Sequence, residues 1–109
     1  MERFGEFIKR LRIEKGFNQT QLAAKIGLDS GGLSKVETGK KDLKEEKLPL
    51  LAKVFSISIE ELKKQYFSEK FAETCFNYKC PDSVFELAEE KVKYIRNAKV
   101  KQGKLNFKE

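Results

Sequence analysis

The run from Asn18 to Gly39 constrains this chain more than any other stretch, because two short apolar periods in it are joined across a turn that opens on Gly27. Leu22, Ala23 and Ile26 recur at helical spacing, and so do Leu33 and Val36. Asn18 can cap the first helix, and Gln21 three residues on completes a capping-box pattern. Gly27 ends that helix by supplying a left-handed residue at no steric cost. Asp29 can cap the second helix, where its charge suits the positive end of the helix dipole, and Gly39 closes it. Ala23 is small where the two helices must cross steeply. Gly31 and Gly32 are the anomaly: they sit in the first turn of the second helix, although each costs about 1 kcal/mol relative to alanine.

The rest of the chain reads as helix as well. Phe4, Phe7, Ile8 and Leu11 predict a first helix, stopped at Gly16. A fourth helix is expected over 45–55, with Leu48, Leu51, Ala52 and Phe55 inward and Pro49 near its first turn. Ser58 and Glu61 make a second capping box. The long helix after it is expected to reach residue 78, burying Ile59, Leu62, Tyr66, Phe67, Phe71 and Cys75. Pro81 breaks the run, and Ser83 with Glu86 opens a sixth helix with the stripe Val84, Leu87, Ala88, Val92 and Ile95. The end, "KVKQGKLNFKE", has no helical period; a disordered basic tail is expected there in preference to a strand through Val100, Leu105 and Phe107. No internal repeat is visible, and the predicted class is all-α.

Composition narrows the chemistry. With 109 residues, 39% hydrophobic and 37% charged, the chain can bury one modest core. A net charge of +6 points to a polyanionic partner. The excess is concentrated late: Lys91, Lys93, Arg96, Lys99, Lys101, Lys104 and Lys108 face Glu109 alone. No apolar run approaches the ~20 residues needed to cross a bilayer, and no signal-peptide core opens the chain, so no membrane partner and a cytoplasmic location are expected. There is no histidine, so the commonest general base is missing and Cys75 and Cys80 lack co-ligands for zinc. They read as reduced, inert thiols. With no glycine-rich phosphate loop and no paired-carboxylate spacing, neither enzyme activity, nor a metal, nor a cofactor is expected.

A short helix, a three-residue turn opened by glycine and a second short helix form a helix-turn-helix arrangement. The residues "LRIEKGFNQTQLAAKIGLDSGGLSKVETGKK" followed by "LAKVFSISIEEL" resemble the lambda-repressor-like, or XRE, family of helix-turn-helix regulators. The resemblance covers roughly residues 3–64 and implies a five-helix DNA-binding domain; phage repressors of the family also carry proline near the place of Pro49. It implies that Gln19 contacts phosphate at the start of the second helix. It places Ser30, Gly31, Ser34 and Lys35 on the outer face of a recognition helix, about 30–38, that enters the major groove. Thr38, Lys40 and Lys41 match backbone-contacting positions, and Arg12 with Glu37 matches a structural ion pair. Gly31 stands where relatives carry a base-reading side chain, so the glycine pair reads as a means of close backbone approach, with first-turn N–H groups left as donors.

Residues 65–98 add Tyr66, Phe67, Phe71, Phe76, Tyr78, Phe85 and Tyr94 to that core. These are more apolar side chains than one thin layer over a small domain can bury, so a symmetric dimer through them, centred on Tyr66, Phe67, Phe71, Phe76 and Phe85, is expected. The expected organisation is a DNA-binding domain over 1–64, then a helical dimerisation extension and basic tail over 65–109. The expected function is that of a homodimeric, sequence-specific regulator of transcription on double-stranded DNA, a repressor or a controller of a restriction–modification system. The alternative is an antitoxin-type module whose residues 65–98 bind a partner protein while the helix-turn-helix autoregulates.

Overall fold

Capping and apolar periodicity set the order of the elements. A computed structural model describes residues 1–105, with side chains through residue 100. The described residues are all-α: α1 (Phe4–Glu14), α2 (Gln19–Ile26), α3 (Ser30–Glu37), α4 (Leu48–Phe55), α5 (Ile59–Asn77) and α6 (Val84–Leu105). The box at α2 closes in both directions: Gln21 N–H donates to Asn18 Oδ1 and Asn18 N–H to Gln21 Oε1, each at 2.8 Å. At α5 only half of the expected box forms, with Glu61 N–H donating to Ser58 Oγ at 3.0 Å. The Glu61 carboxylate turns instead to Lys64 at 2.9 Å and Gln65 at 3.2 Å.

The helix expected over 45–55 is divided. Residues Glu45–Lys47 form a 3₁₀ turn and α4 begins at Leu48. Pro49 has no N–H to offer the Glu45 carbonyl, and its ring would crowd that group, so an α-helical turn cannot extend back across it.

Two compact units are distinguished, Met1–Glu73 and Thr74 onward. The core of the first unites Phe4, Phe7 and Ile8 of α1 with Leu22, Ala23 and Ile26 of α2, and Leu33 and Val36 of α3. Leu48, Leu51, Ala52 and Phe55 of α4 complete it with Leu43, Leu62 and Tyr66. Each such large side chain contributes roughly 1.5–3 kcal/mol on leaving water. Gly5 sits at the tightest crossing: a Cβ there would lie 2.5 Å from the carbonyl oxygens of both Val36 and Glu37. Arg3 fastens the start of α1 to α5, donating to Glu69 at 2.6 Å and to Glu73 at 2.9 Å.

Three expectations are corrected here. Phe67 and Phe71 are 41% and 40% exposed, where the sequence placed them inside. Tyr66 takes the inward position, its ring edge-on to Phe4 at 5.3 Å and its hydroxyl donating to the Leu43 carbonyl at 2.5 Å. The tail expected to be disordered is helical through Leu105. Lys101, Gln102, Lys104 and Leu105 favour helix and late positive charge suits the dipole, so helix persists without an apolar period. Residues 106–109, including Phe107 of the strand alternative, lie outside the described residues.

Candidate nucleic-acid interface

The turn between α2 and α3 is closed by its backbone. Gly27 has φ 73°, a left-handed value, and the next N–H, of Leu28, returns to the Ala23 carbonyl at 2.8 Å. Lys47 Nζ approaches the Gly27 carbonyl at 3.4 Å. A Cβ on Gly27 would be strained by its φ and would meet that ammonium at 2.9 Å. At the other side of the turn Asp29 caps α3, its Oδ1 accepting from Gly32 N–H at 2.5 Å.

A buried ionic network holds α3 from beneath. Arg12 engages Glu37 twice, Nε to Oε2 at 2.7 Å and Nη2 to Oε1 at 3.1 Å, and its Nη1 donates to the Phe17 carbonyl at 2.9 Å. Gln19 Nε2 adds a third donor to Glu37 at 3.0 Å. Both charged partners are buried, at 8% and 5% exposure, so the forked guanidinium geometry is what makes the burial tolerable. Gln19 therefore bridges α2 to the pair, keeping its second amide hydrogen for another acceptor.

With Leu33, Val36 and Glu37 turned inward, Ser30, Gly31 and Lys35 are exposed and Ser34 is half-buried. A Cβ on Gly31 would meet nothing nearer than Asp29 Oδ1 at 3.7 Å, so the fold itself has no steric need of that glycine. Gly32 differs: its Cβ would lie 3.0 Å from the capping oxygen, and its N–H is consumed by the cap. The expectation that first-turn N–H groups are left as donors therefore does not hold for Gly32.

The far end of α3 gathers cations. The N–H groups of Lys40 and Lys41 fold back to the Lys35 carbonyl at 2.8 and 3.2 Å. The Thr38 hydroxyl donates to the Ser34 carbonyl at 2.9 Å. Lys35, Thr38, Lys40 and Lys41 are thereby assembled around one helix terminus, all exposed. Lysines there complement the negative end of the dipole and present a field suited to phosphate.

Of the residues expected at a dimer interface, Tyr66 is only 4% exposed and belongs to the core, because its hydroxyl finds a carbonyl partner there. Phe67, Phe71, Phe76 and Phe85 keep 40–83% exposure. Sequence reasoning missed Gly5 and the Arg3–Glu69 tie. A glycine one residue into an apolar helical period was the available signal for the first; nothing local announces the second. Arg3 also holds the Glu69 carboxyl below the usual carboxylate range, chiefly through its hydrogen bond and against the opposing effect of desolvation. Among the described residues no acidic or thiol cluster could hold a metal ion, and no helix is long and apolar enough to cross a membrane.

A helix-turn-helix family model (HTH_3) matches residues 8–62, just over half of the chain. No curated protein matches the chain in sequence. Among solved structures, the restriction-modification controller protein C.AhdI from Aeromonas hydrophila is 34% identical, over 54% of this chain and 86% of that one, with a TM-score of 0.50. The clp gene regulator ClgR from Corynebacterium glutamicum shares the fold at 18% identity, 84% of each chain and a TM-score of 0.52. So does a transcriptional regulator from Listeria innocua, at 22% identity over 90% of this chain and 97% of that one, TM-score 0.52. The family match encloses α2, the glycine turn, α3 and the Glu37 network, and the chain belongs to the XRE-type helix-turn-helix family of DNA-binding regulators.

Proposed function

We propose that this protein is a homodimeric, sequence-specific regulator of transcription that acts in the cytoplasm and lays α3 in the major groove of double-stranded DNA. The observation that carries the reading is the outward face of α3, held from below by the Arg12–Glu37–Gln19 network and flanked by Lys35, Lys40 and Lys41. In this reading Gln19 and Ser30 meet phosphate or base edges at the helix N-termini, and Gly31 brings backbone close to the DNA. Ser34 and Lys35 read base edges, Lys by reaching guanine O6 and N7. Thr38, Lys40 and Lys41 bind backbone and set register. The likeness to C.AhdI, a restriction-modification controller protein, supports a controller role over its matched 54% of the chain.

The test is selection of duplexes from a random pool, followed by a mobility shift across a salt series. The expected result is one enriched, two-fold symmetric site bound by two protomers, with affinity falling steeply as salt rises. Recovery of no preferred sequence would overturn the reading. The exposed apolar side chains of α6 favour one alternative, an antitoxin-type module in which that face takes a different protein. A stoichiometric, unrelated chain co-purifying with the protein from its own cells would favour it.

A further inference from the structure

Helix α6 separates its charges by sign. Up to Glu90 its charged residues are Glu86, Glu89 and Glu90; from there to Leu105 they are Lys91, Lys93, Arg96, Lys99, Lys101 and Lys104. A helix dipole favours acidic residues in the first turn and basic residues in the last. Lys91, Lys93 and Arg96 stand in the middle of a 22-residue helix, where that effect has died away. The same helix carries Ala88, Val92 and Ile95 at i, i+4, i+7, bordered by Leu87 and Tyr94. Leu87, Val92, Tyr94 and Ile95 are 50%, 44%, 74% and 52% exposed. A continuous apolar stripe on a long helix marks a face that another helix covers.

The charges say which helix. At 3.6 residues per turn, Glu89 and Arg96 lie about 20° apart around the axis, two turns from each other on the same edge of the stripe. In a parallel self-pairing the acidic halves lie together and the basic halves lie together. In an antiparallel pairing the same edges meet, and Glu89 comes opposite the partner's Arg96. Two-fold symmetry then makes that pair twice, about an axis between Val92 and Lys93, and brings Ala88 to about 3 Å along the axis from the partner's Ile95. Among the described residues of one chain Glu89 has a long contact to Lys93, 3.8 Å with side chains 70% and 67% exposed, too solvated to hold it from a partner.

We infer that α6 is the docking face for a second copy of this chain laid antiparallel, the acidic half of each helix against the basic half of the other. The inference rests on the homodimer proposed above and gives its geometry.

Crosslinking reads the orientation directly. In full-length protein carrying Cys75→Ser and Cys80→Ser, Ala88→Cys and Ile95→Cys are made as separate chains and mixed under mild oxidation. The mixed 88–95 crosslink should form about tenfold faster than either same-site crosslink, because same-site pairs are offset along the axis by more than the ~7 Å Cα reach of a disulfide. Separately, Glu89→Arg and Arg96→Glu should each raise the dimer dissociation constant about tenfold, and the double variant should return it to within roughly threefold. Circular dichroism confirms that each exposed-site variant keeps its helix. Same-site crosslinks in preference to mixed ones, or a double variant as weak as the singles, would overturn the antiparallel arrangement and leave the homodimer standing. A wild-type chain that sediments as a monomer would overturn both.

Discussion

Glu37 shows how much one residue can carry. Its carboxylate accepts from Arg12 and Gln19 while 5% exposed, so removing a donor leaves charge stranded out of water. Arg12→Ala should destabilise the protein by about 3 kcal/mol, the scale for an uncompensated buried partner, read as a lower chemical-denaturation midpoint. Gly5→Ala should cost about 1–3 kcal/mol by forcing α1 from α3, since its Cβ would meet two backbone oxygens at 2.5 Å and neither can move aside. Gly31→Ala goes the other way. That Cβ would make only an ordinary contact with Asp29 Oδ1 at 3.7 Å, so the ~1 kcal/mol gain in helix propensity should appear as a slightly higher melting temperature. If Gly31 serves backbone approach to DNA, the same variant should bind its selected site more weakly. Tighter binding would end that account. Arg12 and Glu37 could be paired from family likeness, whereas the need for glycine at position 5 exists only where α1 meets α3.

For the elements, the end of α3 and the start of α1 are built differently and should answer different probes. Lys40 is fixed by its backbone N–H at the helix end, beyond the outward turns of α3, so Lys40→Ala should weaken binding to all duplexes alike and lower the salt slope by about one unit. Lys35→Ala, within α3, should flatten discrimination between the selected site and random DNA. Identical behaviour of the two across a panel of sites would refute this division of roles. The α1–α5 tie should show in acid. Glu69 has a folded-state pKa below its ordinary 4.5 through the Arg3 hydrogen bond. Its contribution is therefore present above that ordinary value and lost as pH falls through the lower folded value. Arg3→Ala should raise the Glu69 titration midpoint, followed by NMR, and the stability gap to wild type should close as pH drops below about 4.5.

Taken whole, the molecule offers a natural place to cut it. Tyr66, Glu69 and Glu73 all serve the first compact unit, which ends at Glu73. A chain of residues 1–73 should fold cooperatively, sediment as a monomer and bind its site much more weakly than full-length protein. A chain ending at residue 65 removes Tyr66 from the core and should lose several kcal/mol, as Phe-sized deletions do. Full-length protein should place its two recognition helices about 34 Å apart, one turn of DNA, which spin labels on α3 would measure. Dimers that persist in the 1–73 chain would show that α6 is not the interface.

Local rules wrote much of this protein. Asn18 with Gln21, Gly27 and Asp29 acts over at most four residues, through a cap, a left-handed turn or a dipole, so α2, the turn and α3 were readable from the letters alone. The outward positions Ser30, Gly31, Ser34 and Lys35 came from the family resemblance, and the structure exposes all of them but Ser34, which is half-buried. What the letters left open depends on neighbours far along the chain. Tyr66 and Phe67 were both expected inside, and only Tyr66 finds partners there, in the Leu43 carbonyl and the Phe4 ring. Gly5 became indispensable because the carbonyls of Val36 and Glu37 arrive against it. Gln19 joined Glu37 because α2 and α3 cross there. Periodicity reports which face of a helix is apolar, but close approach and hydrogen-bond partnership are set by the packing of one element on another, and only the tertiary structure supplies that.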